Sequence, residues 1–214
     1  MEEQFWQTRW ESGRIAFHED APNAFLVENS HVLGLDHSAR IFLPLCGKAR
    51  DLDWLLARGH DVIGIEFNRG AIEEVFHRLS LEPEIAQASG LTRFSHGKLT
   101  LWHGDFFALE KAALGHVDAV YDRAALVALP DDLRNAYAAR LSELTSRAPQ
   151  LLVSYDYDQS QTDGPPFSVP QETINRLYGS QYAIERLASG DITDPLAQRC
   201  SGQEQVWHLT AKAP

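Results

Sequence analysis

The side chains in this sequence that could do chemistry stand where short apolar runs end. Leu45, Cys46 and Gly47 close Ile41-Phe42-Leu43-Pro44, Glu66 closes Val62-Ile63-Gly64-Ile65, and Gly104-Asp105 follows Leu99-Thr100-Leu101-Trp102. Asp122-Arg123 follows Val117 to Tyr121, and Tyr155-Asp156 ends Leu151 to Ser154. An acid about 20 residues beyond a first strand–loop unit can accept hydrogen bonds from the two hydroxyls of a ribose. Glu66 has that place, and equally it could be a solvated carboxylate at a strand end. Asp105, beside Phe106 and Phe107, could accept from an adenine amino group under an aromatic cover, or it could cap a helix.

Arg123 could favour an ionised acid, since a cation within a few ångströms lowers an acid's pKa; it could also pair with a surface carboxylate. Trp10 sits in an aromatic segment (Phe5, Trp6, Trp10, Phe17, Phe25) and could face a cation, because aromatic rings attract positive charge. A core position is its other reading. Cys46 next to a loop glycine is expected to pack or line a pocket and not to attack. Nine histidines are present, with no HExxH or HxH spacing, so a metal site is not expected. His18 could serve as a general base, but a structural or lid role is expected.

The loop Pro44-Leu45-Cys46-Gly47-Lys48-Ala49-Arg50-Asp51 has one glycine. A pyrophosphate fingerprint needs three, and the loop also lacks the GxxxxGK[ST] cradle. That counts against an NAD-type oxidoreductase, the first alternative. A nucleoside cofactor without phosphate, such as S-adenosylmethionine, needs neither device. A non-catalytic nucleoside-binding sensor is the second alternative.

These residues require elements to hold them. Apolar strands alternate with helical patterns at 51–58, 71–79 and 131–146, the signature of an α/β fold with a parallel sheet. Two further runs, 183–187 and 205–210, could pair antiparallel at the end, after a long loop over 156–170. The first part reads as an amphipathic helix over 3–12, a turn at Gly13 and a second helix over 22–34. The whole, 1–214, is expected to be one domain.

The net charge of −11 makes nucleic acid and anionic lipid poor partners. No apolar run approaches the length of a membrane span. Two cysteines outside any metal or disulfide spacing suit a reducing, cytoplasmic setting. A monomer is expected.

Three segments together resemble a known family. They are Phe5-Trp6-x-x-Arg9-Trp10-x-x-Gly13-x-x-x-Phe17-His18, then Pro44-Leu45-Cys46-Gly47-Lys48-Ala49-x-Asp51-Leu52 with Gly59-His60-x-Val62-x-Gly64-x-Glu66, then Tyr121-Asp122-Arg123-Ala124-Ala125-Leu126-Val127-Ala128-Leu129-Pro130. With Ser154-Tyr155-Asp156-Tyr157 and Gly164-Pro165-Pro166-Phe167, the chain resembles the bacterial branch of the thiopurine S-methyltransferase family. The resemblance implies a class I S-adenosylmethionine-dependent methyltransferase (Rossmann-like) fold, with a seven-stranded, mostly parallel sheet whose last strand is antiparallel. It implies S-adenosylmethionine against Trp10, Leu45, Glu66, Gly104, Asp105 and Arg123. It implies a thiol acceptor near Phe17, Arg123 and Arg199, and a catalytic role for Arg123. Residues 1–35 would form a helical cover over the active site. The implied acceptors are aromatic and heterocyclic thiols such as thiopurines, with an association to selenium and tellurium resistance.

Overall fold

The computed structural model describes residue 6 and residues 8–10, 19–88, 90–193 and 195–213. Its centre is a sheet of nine strands in the order β3-β4-β5-β2-β1-β6-β7-β9-β8. The strands are β1 (Arg40–Leu43), β2 (Asp61–Glu66), β3 (Glu84–Ala88), β4 (Leu91–His96), β5 (Leu99–His103), β6 (Ala119–Asp122), β7 (Gln150–Tyr157), β8 (Tyr182–Asp191) and β9 (Gly202–Ala211). Strands β5, β2, β1, β6 and β7 pair in parallel. Strand β9 runs antiparallel to both β7 and β8.

The segment β5-β2-β1-β6-β7-β9-β8 is therefore the seven-stranded, mostly parallel sheet that the resemblance implies. The difference lies at the other edge, where β3 and β4 form an antiparallel hairpin that pairs with β5 and raises the count to nine. Its sequence carries little of the apolar density of a central strand. Glu84, Ile85 and Gln87 of β3 are exposed, because an edge strand faces partners on one side only.

The central strands are buried on both faces, so their sequences read as continuous apolar runs. Alternate residues supply two cores. Ile41, Leu43, Val62, Leu99, Leu101, Leu151 and Val153 pack on one side with Leu52 and Leu55 of α2 (Arg50–Ala57) and Ile72, Val75 and Phe76 of α3 (Arg69–Arg78). Phe42, Ile63, Ile65, Val120, Leu152 and Trp207 pack on the other with α5 (Asp131–Leu144) and α6 (Gln171–Tyr178). Helix α6 lies in a stretch with no expected helix, and the short α4 (Lys111–Leu114) was also not expected.

At the front, Trp6 and residues 8–10 are helical, whereas Gly13, Phe17 and His18 lie outside the described residues. The helix expected over 22–34 is shorter. It is α1 (Ala24–Asn29), continued by a 3-10 turn, Ser30–Leu33, that stops at Gly34 with φ 60°. The Asn23 side chain caps α1 by accepting from the Phe25 N–H at 3.0 Å, leaving one of the helix's free N–H groups satisfied. No helix among the described residues is long and apolar enough to cross a membrane.

Candidate active site

Strand β1 connects to β2 on one side, while the chain enters its other neighbour, β6, from β5 on the far side of β2. This is the point where strand order reverses, and ligands of open α/β sheets bind just beyond the carboxyl ends of the strands there. A cavity of about 300 Å³ opens at that place, lined by Trp6, Trp10, Leu45, Glu66, Asp105, Phe106 and Tyr137 among others. A second cavity of about 150 Å³ adjoins it, sharing Trp6, Ala124 and Ala128, and is lined by Arg9, Glu19, Arg123, Tyr155, Pro165, Pro166, Arg199 and Glu204.

Glu66 ends β2 and is 6% exposed. Its Oε2 accepts from the Gly47 N–H at 2.9 Å and its Oε1 from the Asn68 N–H at 2.7 Å. One carboxylate thus ties the loop after β1 to the loop after β2. Burial pushes its pKa up, while the backbone N–H groups of Asn68, Gly47 and Phe67 pull it back. A carboxylate offers about four lone-pair sites, so these backbone donors still leave it acceptor capacity.

Leu45 sits on the cavity wall in a left-handed conformation, φ 46°. Asp105 both lines the cavity and caps the 3-10 turn Phe106–Ala108, its Oδ1 accepting from the Phe107 N–H at 3.0 Å. Gly104 is not among the lining residues. It shapes the turn, with φ +141° and its N–H donated to the Glu66 carbonyl at 3.0 Å. Phe106 packs on Tyr137 with ring centroids 4.9 Å apart, and Phe67, unmarked in the sequence reading, lines the same wall.

Cys46 is buried and is not among the described residues lining either cavity. Its sulfur stands where a side chain at position 64 would go, 2.6 Å from an ideal Gly64 Cβ. Burial, and then the Glu66 charge, hold its thiol well above the ordinary range. The thiolate is the nucleophilic form, so this environment disfavours attack by Cys46.

Arg123 follows β6 and reaches the second cavity with a side chain only 6% exposed, ion-paired to Glu19. Burial opposes its charge, and the neighbouring Tyr121, Glu19, Asp51 and Tyr155 outweigh that, so the guanidinium holds its proton more tightly than usual. Asp51, at the start of α2, is buried and accepts from the Asn23 N–H at 2.8 Å. Arg199 lines the same cavity from the end of the 3-10 turn Leu196–Gln198. Sequence reasoning missed Glu19 and Glu204, which no motif marks.

Below this floor Asp122 is fully buried, accepting from the Tyr137 hydroxyl at 2.7 Å and the Leu126 N–H at 3.1 Å. Among the described residues no group of His, Cys, Asp and Glu could hold a metal ion.

The architecture is that of the class I S-adenosylmethionine-dependent methyltransferases. A methyltransferase from Anabaena variabilis superposes with a TM-score of 0.65 at 12% identity, over 98% of this chain and 93% of that one. A Burkholderia thailandensis 1,6-didemethyltoxoflavin-N1-methyltransferase, solved with S-adenosylhomocysteine, gives 0.61 at 15% identity over 97% and 87%. Sequence comparison narrows the class. The family model for thiopurine S-methyltransferase matches residues 1–212. Proteins named thiopurine S-methyltransferase from Xanthobacter autotrophicus and Teredinibacter turnerae are 48% and 41% identical, each over 98% of this chain and 99% and 98% of their own. The chain belongs to the thiopurine S-methyltransferase family. It is a methyltransferase, and S-adenosylmethionine is its methyl donor.

Proposed function

We propose that the chain, as one domain over 1–214, methylates the sulfur of aromatic or heterocyclic thiols, thiopurines among them. The observation that carries this reading is the pair of adjoining cavities: an aromatic one closed by Glu66, and a smaller one holding Arg123. Glu66, Leu45, Trp10 and Asp105 would hold the nucleoside, with the ring covered by Phe106 and Phe67. The free lone pairs on Glu66 suit ribose hydroxyls, and the aromatic wall suits both a purine and a positively charged sulfur. Bound there, S-adenosylmethionine supplies an electrophilic methyl.

The chain's own residues then position and exclude. Arg123, whose charge is sheltered from solvent, favours the ionised sulfur of an acceptor over its protonated form. Arg199 adds a second cation to the same pocket, and Pro165 and Pro166 offer it flat apolar surface. Trp6 and Trp10, on the wall of the first cavity, cover the site and keep water out. Alignment of nucleophile and electrophile in such a pocket contributes up to about 7–11 kcal/mol to the barrier reduction. Both cysteines are free and buried, which suits a reducing cytoplasmic setting.

The test is calorimetric titration with S-adenosylmethionine followed by labelled methyl transfer to thiopurines, aryl thiols, selenite and tellurite. Binding with transfer to the thiols is expected. Binding without transfer to any of them would leave a nucleoside-binding sensor.

A further inference from the structure

The second cavity holds a carboxyl that neither the fold nor the reading above employs. Glu204 lies on β9 directly opposite Tyr155 of β7, and both line the cavity that holds Arg123. The Tyr155 hydroxyl favours the ionised form of the Glu204 carboxyl. One oxygen of that carboxyl is unsatisfied: Oε1 is shut away from solvent with no hydrogen-bond partner among the described residues. Buried carboxyl oxygens are almost always partnered, so an orphan beside a cavity asks for a donor from inside it. An acceptor whose sulfur lies near Arg123 brings one such donor, the acidic N–H or S–H that must be lost on methylation.

We propose that Glu204 is the proton acceptor of this pocket, taking the acidic proton of a neutral heterocyclic thione or thiol as its sulfur is methylated. The inference rests on the methyl-transfer reading above. The balance is simple. The acceptor's sulfur forms the new S–CH3 bond, and the old one breaks with its electron pair returning to the donor's sulfonium sulfur. The N–H or S–H proton passes to the Glu204 carboxylate, and the charge it leaves behind is carried onto the sulfur, whose lone pair is the nucleophile. Charge in the pocket is conserved up to the moment of transfer, because one anion facing Arg123 replaces another.

Burial pushes the Glu204 pKa up, with Arg123 opposing, Glu19 adding to the rise and the Tyr155 hydroxyl opposing. A carboxylate so raised is the stronger base. The charged groups facing it are Arg123 beyond β6, Arg9 and Glu19 from the N-terminal segment, Arg199 after the 3-10 turn, and Tyr155 on β7; on its other side β8 brings only Gly190 into register. Glu19 also carries a carboxylate, but it is 44% exposed and already engaged by Arg123.

The experiment uses the intact protein, Glu204→Gln and Glu19→Gln, with S-adenosylhomocysteine and a heterocyclic thione whose ionised and neutral forms absorb differently. Below the thione's solution pKa, the wild-type ternary complex should show the ionised spectrum and the Glu204→Gln complex the neutral one. In turnover, Glu204→Gln should lower kcat for the neutral thione about a hundredfold and remove the acid limb of its pH profile. Calorimetry of each variant with S-adenosylhomocysteine checks that the fold and nucleoside site persist, and circular dichroism decides for any variant that fails it. An ionised spectrum on folded Glu204→Gln, an unchanged acid limb, or loss of the ionised form in Glu19→Gln alone would overturn the proposal. If wild type binds no S-adenosylmethionine, it is the methyl-transfer reading that fails.

Discussion

Replacing Asp122 with asparagine isolates the electrostatic cost of the floor beneath the site. Asp122 is fully buried, and burial raises its pKa from 3.8 to about 6 even though the Leu126 N–H, the Tyr137 hydroxyl and the Ala125 N–H all favour the ionised form. A proton therefore binds the folded chain more tightly than the unfolded one. The stability this confers is complete below pH 3.8 and lost as pH rises through about 6. At 1.36 kcal/mol per unit, the ionised carboxylate costs the native state about 3 kcal/mol at neutral pH.

Asparagine keeps the shape, can still accept from Leu126, and can donate to the Tyr137 oxygen, but it binds no proton. The measurement is urea denaturation of wild type and Asp122→Asn from about pH 4 to about pH 8. The variant's stability relative to wild type should rise by about 2 kcal/mol across that window, most of the full difference, because at pH 4 the unfolded carboxyl is already partly ionised. Asp51, Glu66 and Glu204 also carry raised pKa values, but they occur in both proteins and cancel in the difference. A difference that stays flat with pH would refute the reasoning.

Three further substitutions probe the site itself. Glu66→Ala leaves the Gly47 and Asn68 N–H groups without acceptors, at about 1–3 kcal/mol each; calorimetry should show at least about a tenfold loss of S-adenosylmethionine affinity, and an unchanged Kd would remove Glu66 from the nucleoside site. Arg123→Lys keeps the charge but loses the planar fork that meets Glu19; kcat/KM for thiols should fall about tenfold or more, about 1.4 kcal/mol, while cofactor affinity holds, and equal loss in both would make Arg123 a cofactor anchor. Cys46→Ser places a hydroxyl against Gly64 and Leu101 in an apolar core and should lower Tm, with a cost of about 1–3 kcal/mol; methyl transfer should persist, and its complete loss in folded protein would give Cys46 a chemical role.

Much of this was legible because topology fixes where chemistry sits. Once the apolar runs are read as parallel strands, the residues ending them must crowd one edge of the sheet, and Leu45, Glu66, Asp105 and Arg123 do. The hairpin of β3 and β4 was not legible, since Glu84–Ala88 buries too little to need an apolar pattern. Helix α6 was hidden for a related reason: Ile174 and Tyr178 are its only fully buried side chains. In the second cavity Arg123 and Arg199 were anticipated, but the acids Glu19 and Glu204 escaped for another reason. The cavity's charged residues come from positions 9, 19, 123, 199 and 204, and no local spacing links groups that only tertiary packing assembles.

The structure also explains why acids this costly stand under the site. Leu45 and Ala124 hold left-handed backbone at φ 46° and 61°, one just after β1 and the other just after β6. Each such residue costs about 1–3 kcal/mol and persists only where its surroundings over-determine it. The surroundings here are carboxylates from a neighbouring strand end or the preceding residue pair. Glu66 accepts from Gly47, two residues beyond Leu45, and Asp122 accepts from Leu126, two residues beyond Ala124. A neutral side chain would relieve the burial cost but hold the strained loop with a weaker bond, since hydrogen bonds to an ionised partner are roughly twice as strong. The two acids brace the two sides of the reversal point by the same means, and the charge each keeps at a cost in stability holds in place the strained loops on which Leu45 and Arg123 reach the two cavities.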